Sequence, residues 1–388
     1  MKLAKRAMGI EESATLAITS KAKKMVKEGI DVVSLAAGEP DFDTPAHIKE
    51  AAVRAIQEGF TKYTPSTGML ELREAIAAKF KKDKKLDYEP SQIVVSNGAK
   101  HSLYNVFQML VEKGDEVIIP SPYWLSYPSM VGMAEGKSVF VKTGKDNNFK
   151  MTEKDLSAKI TARTKCLVLN SPSNPTGSVY GPDELKMVAR LAAKHNFFII
   201  SDEIYEKLIY DGISYTSIAS LGKDIYDRTI TVDGVSKSYS MTGWRIGYAV
   251  GPAEVMKAIA NIQSHATSNP CSISQRAALE ALTSDQACVD DMRMEFEKRR
   301  DLMVLRIDKM SLISCTKPSG AFYVFCDVSK LKIGSIKLAN RLLEEARIAV
   351  IPGKPFGEDS FIRLSFATSS EKINKGLDRL EEWIKKNG

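Results

Sequence analysis

Lys237 is the residue of this sequence whose surroundings most favour covalent chemistry. It follows the strand-like segment RTITVDG and opens a loop rich in hydroxyl groups and glycine that leads to Arg245. A lysine amine is a nucleophile once it is deprotonated, and an arginine can hold a phosphate through two parallel hydrogen bonds. A lysine in a polar loop is usually a solvated charge, so the case for Lys237 depends on its neighbours.

An anion site is indicated where the segment QIVVS ends and a helix begins, at Gly98, Ala99 and Lys100. The free N–H groups and the positive dipole end of such a helix suit a bound phosphate. The same turn is also compatible with an ordinary strand-to-helix connection that uses a small residue for packing.

Two further polar side chains are expected at the ends of apolar strands, where α/β folds gather their ligands. Asp202 follows the segment FFIIS and is compatible either with a ligand-binding carboxylate or with a helix N-cap. Asn174 lies in the segment NSPSNPTG, whose two X-Pro steps can include a cis peptide bond. Taken alone, this second segment is a plain loop.

The elements that must position these residues alternate along the chain. Short apolar strand-like segments alternate with helical periodicity through the middle of the sequence, which predicts a mostly parallel sheet covered on both faces. Towards the C-terminus, strands and helices are interleaved, and Ile373, Leu377, Leu380 and Ile384 recur along one helix face. The pattern predicts a large α/β domain and a smaller α+β domain, with a boundary near residue 290.

Composition argues against several classes of function. The 388 residues, 44% of them hydrophobic, can bury a large core, and the net charge of +7 is spread along the chain, which suits small anions better than nucleic acid. The five scattered cysteines form no C-x-x-C pair, so we expect no disulfide framework, no metal site and a reducing cytoplasm. No apolar segment approaches the roughly 20 residues of a membrane span.

Several short motifs occur in a fixed order over essentially the whole chain. They are Ala37-Gly38-Glu39-Pro40-Asp41, Tyr63-Thr64-Pro65, Ser121-Pro122-Tyr123-Trp124, Asn174-Pro175-Thr176-Gly177, Ser201-Asp202-Glu203-Ile204-Tyr205, Ser236-Lys237, Gly243-Trp244-Arg245 and Phe361-Ile362-Arg363-Leu364. Together they resemble the class I aminotransferases of pyridoxal phosphate (PLP) fold type I. The resemblance implies a large α/β domain with a mostly parallel seven-stranded sheet flanked by helices, and a small α+β domain built from both chain ends.

This resemblance also implies domain bounds and residue roles. We expect an N-terminal arm at 1–12, a small domain at 13–44 and 291–388, and a PLP-binding domain at 45–290.

Lys237, Asp202 and Tyr205 are the expected catalytic residues: the lysine holds PLP as a Schiff base and moves a proton, and the aspartate keeps the pyridine nitrogen protonated. The expected cofactor contacts are Asn174 and Tyr205 at the ring hydroxyl, Trp124 on the ring face, Ser236 beside the lysine, and Gly98, Ala99, Lys100, Arg245 and Tyr63 at the phosphate.

Substrate contacts follow from the same resemblance. In this family the tyrosine that matches Tyr63 comes from the neighbouring subunit, which implies a homodimer with shared active sites. Arg363 is expected to bind the substrate α-carboxylate by a two-bond fork, and Lys100 is the candidate for a side-chain carboxylate, as in a bacterial branch typified by enzymes of thermophiles. The further expected substrate contacts are Gly38, Trp124, Asn174, Ser13 and Thr15.

The expected activity is amino-group exchange between aspartate and 2-oxoglutarate, and some members of this branch also accept prephenate. Other class I aminotransferases, and C–S lyases or aminocyclopropane-carboxylate synthases of the same fold, remain open as alternatives. A transcription regulator built on this fold is disfavoured, because no helix-turn-helix segment precedes the arm. A nucleotide enzyme would depend on Gly136-Lys137-Ser138, but Gly132 is one residue too close for a phosphate loop.

Overall fold

A computed structural model of the chain describes residue 8 and residues 14–387, with side chains described at residue 8 and from residue 18 onward. The strands are β1 (Val33–Ser34), β2 (Ile93–Ser96), β3 (Glu116–Ser121), β4 (Lys137–Lys142), β5 (Thr164–Asn170), β6 (Phe198–Asp202), β7 (Thr229–Gly234), β8 (Gly247–Val250), β9 (Ser314–Cys315), β10 (Tyr323–Asp327), β11 (Ile348–Ala349), β12 (Ile351–Pro352) and β13 (Phe361–Ser365). The helices are α1 (Ala14–Lys27), α2 (Ala46–Gln57), α3 (Leu70–Lys84), α4 (Ala99–Leu110), α5 (Ser126–Met133), α6 (Glu153–Ser157), α7 (Pro182–His195), α8 (Lys223–Tyr226), α9 (Ala253–Ala266), α10 (Ser272–Thr283), α11 (Ala287–Ile307), α12 (Ser335–Glu345) and α13 (Ser370–Asn387).

A seven-stranded sheet forms the centre of the larger part of the molecule, in the order β2-β8-β7-β6-β5-β3-β4. Within it, β8 pairs antiparallel with both β2 and β7, and the other pairings are parallel. The prediction of an α/β fold with a mostly parallel seven-stranded sheet is therefore confirmed. The antiparallel direction of β8 was not apparent from its sequence, because a fully buried strand reads the same in either direction.

Both faces of this sheet are covered, as the apolar strands require. In β5, Val168 packs into a core shared with α4, whereas Leu167 and Leu169 pack on the opposite side against α7. Successive side chains of a strand point to opposite faces, so a strand that is apolar throughout needs a layer on each side.

A smaller α+β part contains the antiparallel sheet β12-β13-β10-β9 and the parallel pair β1-β11. The pairing of β1 with β11 brings the two ends of the described chain into one core. The predicted apolar stripe on α13 is buried there, at Ile373, Leu377, Leu380 and Ile384. The predicted boundary at residue 290 lies inside the continuous helix α11, and the division into domains by residue number stays a prediction.

The parallel strands end together at one edge of the central sheet. Asn170, the last residue of β5, pairs with Asp202, the last residue of β6. Lys237 follows close behind the end of β7. The chemical groups singled out in the sequence therefore share the edge at which open α/β sheets bind their ligands.

Candidate active site

A cavity of about 590 Å³ opens at this edge of the sheet. Most of the residues predicted to form the site line it: Gly38, Ala99, Lys100, Trp124, Asn174, Asp202, Tyr205, Ser236, Lys237, Arg245 and Arg363. Segments far apart in sequence are thus brought together by the fold, as the resemblance implied. A volume of this size suits a small organic cofactor with its substrate.

Charge in the cavity is unbalanced. Lys100, Lys237, Arg245 and Arg363 line it, whereas the carboxylates that line it are Glu39 and Asp202. Among the described residues, none of the four cationic side chains has a carboxylate within ion-pair distance. A cavity with such a surplus of unpaired cations attracts anions.

Lys237 is the cation best placed to react. Its Nζ donates a hydrogen bond of 2.7 Å to the carbonyl oxygen of Gly38. The pKa of the Lys237 amine is lowered to about 8, mainly by burial and also by the charges of Arg363 and Arg245, against the opposing effect of Glu39. A larger fraction of this amine than of an ordinary lysine is therefore uncharged and nucleophilic near neutral pH.

The lowered pKa of Lys237 means that this residue destabilises the folded, cofactor-free protein at neutral pH. The unfolded chain keeps a proton on this lysine up to the usual pKa of 10.5, whereas the folded chain loses it near pH 8. The free energy of unfolding therefore rises with pH between these two values, and the full destabilisation is present below pH 8. Lys237→Met should raise the free energy of unfolding of the cofactor-free protein at pH 7 by about 1–3 kcal/mol. Denaturant titrations at pH 7 and above pH 10 test this, because the gain should shrink at the higher pH. A variant no more stable than the parent at pH 7 contradicts it.

Asp202 lies at the end of β6 with its carboxylate buried. The Tyr127 hydroxyl donates to Oδ2 at 2.6 Å, and the N–H of Ile204 approaches Oδ1 at 3.4 Å. Burial raises the pKa of Asp202 to about 6, although the bond from Tyr127 opposes this shift. A buried carboxylate that faces a cavity and lacks an ion-pair partner among the described residues is a suitable acceptor for a protonated ring nitrogen.

Arg363 lines the cavity and is almost wholly buried. It donates from Nη1 to Oδ1 of Asn174 at 2.9 Å and from Nη2 to the carbonyl oxygen of Ala36 at 3.2 Å. Its Nε has no hydrogen-bond partner among the described residues. Burial lowers the pKa of this guanidinium, which indicates a charge held in place without its counter-ion. A carboxylate ligand would supply that counter-ion.

The turn before α4 forms a cradle with Arg245. Gly98 has φ of +85°, a backbone conformation that favours glycine, and a Cβ at this position would lie 2.3 Å from Nη2 of Arg245 and would displace that guanidinium. Arg245 donates from Nη1 to the carbonyl oxygen of Thr242 at 2.9 Å. The guanidinium and the free N–H groups of α4 thus face the same end of the cavity, an arrangement that suits a phosphate.

Lys100 and Trp124 lie together on the cavity wall. The Nζ of Lys100 is 5.0 Å from the centre of the Trp124 ring. Burial lowers the pKa of Lys100, and the nearby charge of Arg245 lowers it further. Trp124 in turn contacts Tyr127 edge to face, with 5.2 Å between ring centres.

Two predicted site residues in the described part of the chain, Gly98 and Tyr63, do not themselves line this cavity. Tyr63 is 91% exposed on the surface of the chain. Ser13 lies outside the described residues, and Thr15 lies in α1 without a described side chain. The expected roles of Tyr63, Ser13 and Thr15, like those of the residues that line the cavity, stay predictions.

Several residues that the sequence did not single out contribute to the site. Tyr127 fixes Asp202, Tyr323 contacts both Tyr205 and Arg363, and Thr242 and Glu39 line the cavity. Tyr127 follows soon after the Ser-Pro-Tyr-Trp motif in the first turn of α5, and its position at a strand-to-helix junction was the available signal. Tyr323 gave none, since it is one of several aromatic residues in a buried strand.

The alternative anion site at Gly136 is not a phosphate loop. Lys137 begins strand β4 rather than a helix, and its Nζ bonds to Glu116 at 3.1 Å. Among the described residues there is also no cluster of histidine, cysteine and acidic side chains that could hold a metal ion. In the same part of the chain, no helix has the length and apolarity needed to cross a membrane.

Comparisons with known proteins agree with the geometry. A family model described as aminotransferase class I and II matches residues 30–380. The chain is 47% identical to the aspartate aminotransferase of Bacillus sp. (strain YM-2), over 99% of each chain, and 48% identical to the probable aspartate/prephenate aminotransferase of Rickettsia bellii, over 96% of each. The solved structure of aspartate aminotransferase from Thermus thermophilus with maleate superposes with a TM-score of 0.95 at 45% identity, covering 98% of this chain and 99% of that one. The chain therefore belongs to the class I and II aminotransferase family.

Proposed function

We propose that this protein is a PLP-dependent aminotransferase that moves amino groups between aspartate and 2-oxoglutarate. The observation that carries the proposal is the arrangement of the cavity, in which the reactive amine of Lys237 lies among unpaired cations and near the buried carboxylate of Asp202. Full-length relatives named aspartate aminotransferase support the choice of substrate.

The residues present fit PLP by three independent features. The absence of a Cβ at Gly98 lets the Arg245 guanidinium lie against the start of α4, and this cradle suits the phosphate. Asp202 suits the pyridine nitrogen, and Lys237 suits the aldehyde. When bound, PLP supplies an aldehyde that captures an amine and a cationic ring that withdraws electrons from the substrate Cα.

Lys237 is proposed to act twice, first by holding the cofactor and then as a free amine. A pKa of about 8 allows the amine to accept the proton from the substrate Cα and to return it at a neighbouring carbon. Asp202 is proposed to keep the ring nitrogen protonated, while Asn174 and Tyr205 bind the ring hydroxyl oxygen. Trp124 is proposed to stack on the ring and Ser236 to contact the phosphate end.

Arg363 is proposed to bind the substrate α-carboxylate. Its Nη1 and Nη2 already bond to Asn174 and Ala36, so the guanidinium plane is fixed before the ligand arrives. A planar fork of donors in a buried site orients a carboxylate, which a lysine could not do equally well. Gly38, whose carbonyl oxygen holds Lys237, is proposed to let the substrate approach the backbone.

We further propose that Tyr63 completes the phosphate site of a second subunit, which makes the active unit a homodimer. Tyr63 is 91% exposed, yet the loop after it is held firmly. Gln275 donates to Oγ1 of Thr64 at 2.9 Å, and Gln263 donates to the carbonyl oxygen of Ser66 at 2.6 Å. An aromatic side chain fully exposed on a fixed loop is consistent with a contact made to another chain.

Lys100 is proposed to bind the side-chain carboxylate of the substrate. Lys100→Met should lower kcat/KM for aspartate about 10- to 100-fold, the value of one charge-assisted hydrogen bond, and should change kcat/KM for alanine little. Steady-state rates with both amino acids test this, with Lys142→Met on the exposed side of β4 as the control. If Lys100 only neutralises the phosphate, both amino acids lose equally and PLP binds more weakly.

The substrate assignment is tested by adding aspartate, glutamate, alanine, phenylalanine and arogenate separately to the PLP-loaded protein. The loss of the yellow absorption band reports amino-group transfer. Fast loss with aspartate and glutamate is expected, whereas fast loss with alanine or phenylalanine and none with aspartate would overturn the assignment.

A second candidate activity is transfer to prephenate. It is favoured by the relative from Rickettsia bellii, which is named a probable aspartate/prephenate aminotransferase and is 48% identical over 96% of this chain. Loss of the absorption band with arogenate, the product of that reaction, would support it. Failure of arogenate to react would overturn the prephenate activity and leave the proposal for aspartate intact.

A further inference from the structure

Two tyrosine hydroxyl groups meet at the wall of the cavity. The oxygen atoms of Tyr205 and Tyr323 lie 2.9 Å apart, and both side chains are almost completely buried. Their rings meet edge to face, with 5.9 Å between the centres. Both residues also line the cavity in which Lys237 lies.

Of the two phenol protons of this pair, one forms the hydrogen bond between the tyrosines and the other is available to a ligand. Each phenol carries one proton, and among the described residues neither hydroxyl has another hydrogen-bond partner. One of the two hydroxyls donates within the pair, so the proton of the other must point into the cavity or remain unpaired. The direction of the internal bond therefore decides which tyrosine offers a donor to a ligand.

Arg363 favours Tyr323 as the donor within the pair. The guanidinium carbon lies 4.2 Å from the centre of the Tyr323 ring, where a cation is attracted to the ring face and makes the attached hydroxyl more acidic. The charge of Arg363 works to lower the pKa of both hydroxyl groups against burial, but contact with Tyr323 raises the pKa of Tyr205 further, which leaves Tyr323 the more acidic of the two. The more acidic hydroxyl of two is the better hydrogen-bond donor, which points the bond from Tyr323 to Tyr205.

We propose that Tyr323 is a positioning residue that donates to the oxygen of Tyr205 and thereby directs the Tyr205 proton onto the ring hydroxyl oxygen of the bound cofactor. This inference rests on the proposed function, since it requires PLP in the cavity. It adds a residue from β10 to the groups that act on the cofactor. Tyr323 acts only through Tyr205.

The consequence is measurable in the acid–base behaviour of the cofactor. A donor at the ring oxygen stabilises that oxygen as an anion and so disfavours protonation of the nearby nitrogen that joins the cofactor to Lys237. A bond from Tyr323 polarises Tyr205 and strengthens this donor. Removal of the Tyr323 hydroxyl should therefore raise the pKa of the lysine-linked chromophore.

Tyr323→Phe is the decisive variant, because it keeps the ring beneath Arg363 and removes only the oxygen. A spectrophotometric pH titration of the PLP-loaded variant should show the chromophore pKa raised by about half to one unit. Tyr205→Phe should raise it further, and the double variant should match Tyr205→Phe alone. A role limited to packing would not produce this dependence on Tyr205.

Tyr210→Phe is the matched control. Tyr210 is buried, its hydroxyl donates to the carbonyl oxygen of Ala321 close to β10, and it does not line the cavity. Its variant should keep the chromophore pKa of the parent while thermal unfolding shows whether loss of a buried hydroxyl alone weakens the fold.

The outcomes separate the inference from the function on which it rests. An unchanged chromophore pKa in Tyr323→Phe, with a raised value in Tyr205→Phe, overturns the role of Tyr323 and leaves the proposed function intact. A double variant whose shift equals the sum of the two single shifts also overturns it. If the parent protein forms no chromophore with PLP, the proposed function itself fails.

Discussion

Lys237→Ala should lower the rate of transamination by at least about 10⁴-fold, because it removes both the amine that holds the cofactor and the base that moves the proton. The other lysine that lines the cavity, Lys100, lies against Trp124 and cannot replace it without moving. Amino-group transfer from aspartate to 2-oxoglutarate, measured in the presence of excess PLP, gives the rate.

The control for this variant is Lys186→Ala, which removes an exposed lysine from α7 and should leave the rate unchanged. A small primary amine added to Lys237→Ala should restore part of the proton transfer, since the missing group is an amine. A Lys237→Ala protein that retains a tenth or more of the parent rate would contradict the assignment.

Asp202→Ala should retain the cofactor and lose about 10²- to 10⁴-fold in kcat. The phosphate cradle and Lys237 are untouched by this change, so binding is kept. The ring nitrogen, however, loses the buried carboxylate that keeps it protonated while negative charge develops at the substrate Cα. Absorption measures the cofactor content, and single-turnover kinetics measure the chemical step.

For Asp202 the informative comparison is with Tyr127→Phe, which removes the donor to Oδ2 but keeps the carboxylate. Its loss should be much smaller than that of Asp202→Ala. Two results would contradict a role of the carboxylate on the cofactor. The first is an Asp202→Ala variant that keeps the parent kcat, and the second is a Tyr127→Phe variant that lowers kcat as much as Asp202→Ala does.

Much of the scaffold was predictable because its signals are local. The apolar segment KCLVLN forms most of β5, since a strand buried on both faces needs a nearly continuous run of apolar side chains. The stripe along α13 was predictable for the same reason, because helical spacing alone identifies a buried face. The boundary at residue 290 was inferred from a change of pattern, and α11 runs through that position without a break.

The site was predictable to the extent that its residues lie at strand ends or in motifs. Lys237, Asp202 and Arg363 could be identified as site residues only because the motifs that contain them occur in the order typical of the family. The fold then brings the three residues to one cavity. Tyr323 could not be predicted, because its role depends on a hydroxyl contact with Tyr205 across 118 positions of sequence. Burial of uncompensated charge, as at Arg363, is likewise a property of tertiary packing.

Lys237 should carry the cofactor through a covalent bond to its side-chain amine. Borohydride treatment of the PLP-loaded protein converts a lysine–cofactor linkage into a stable secondary amine, and peptide mass spectrometry then locates it. The expected result is one modified lysine per chain, at Lys237, with no modification in Lys237→Ala. Modification at another lysine in the parent protein, or at none, would contradict the assignment of Lys237 as the lysine that binds the cofactor.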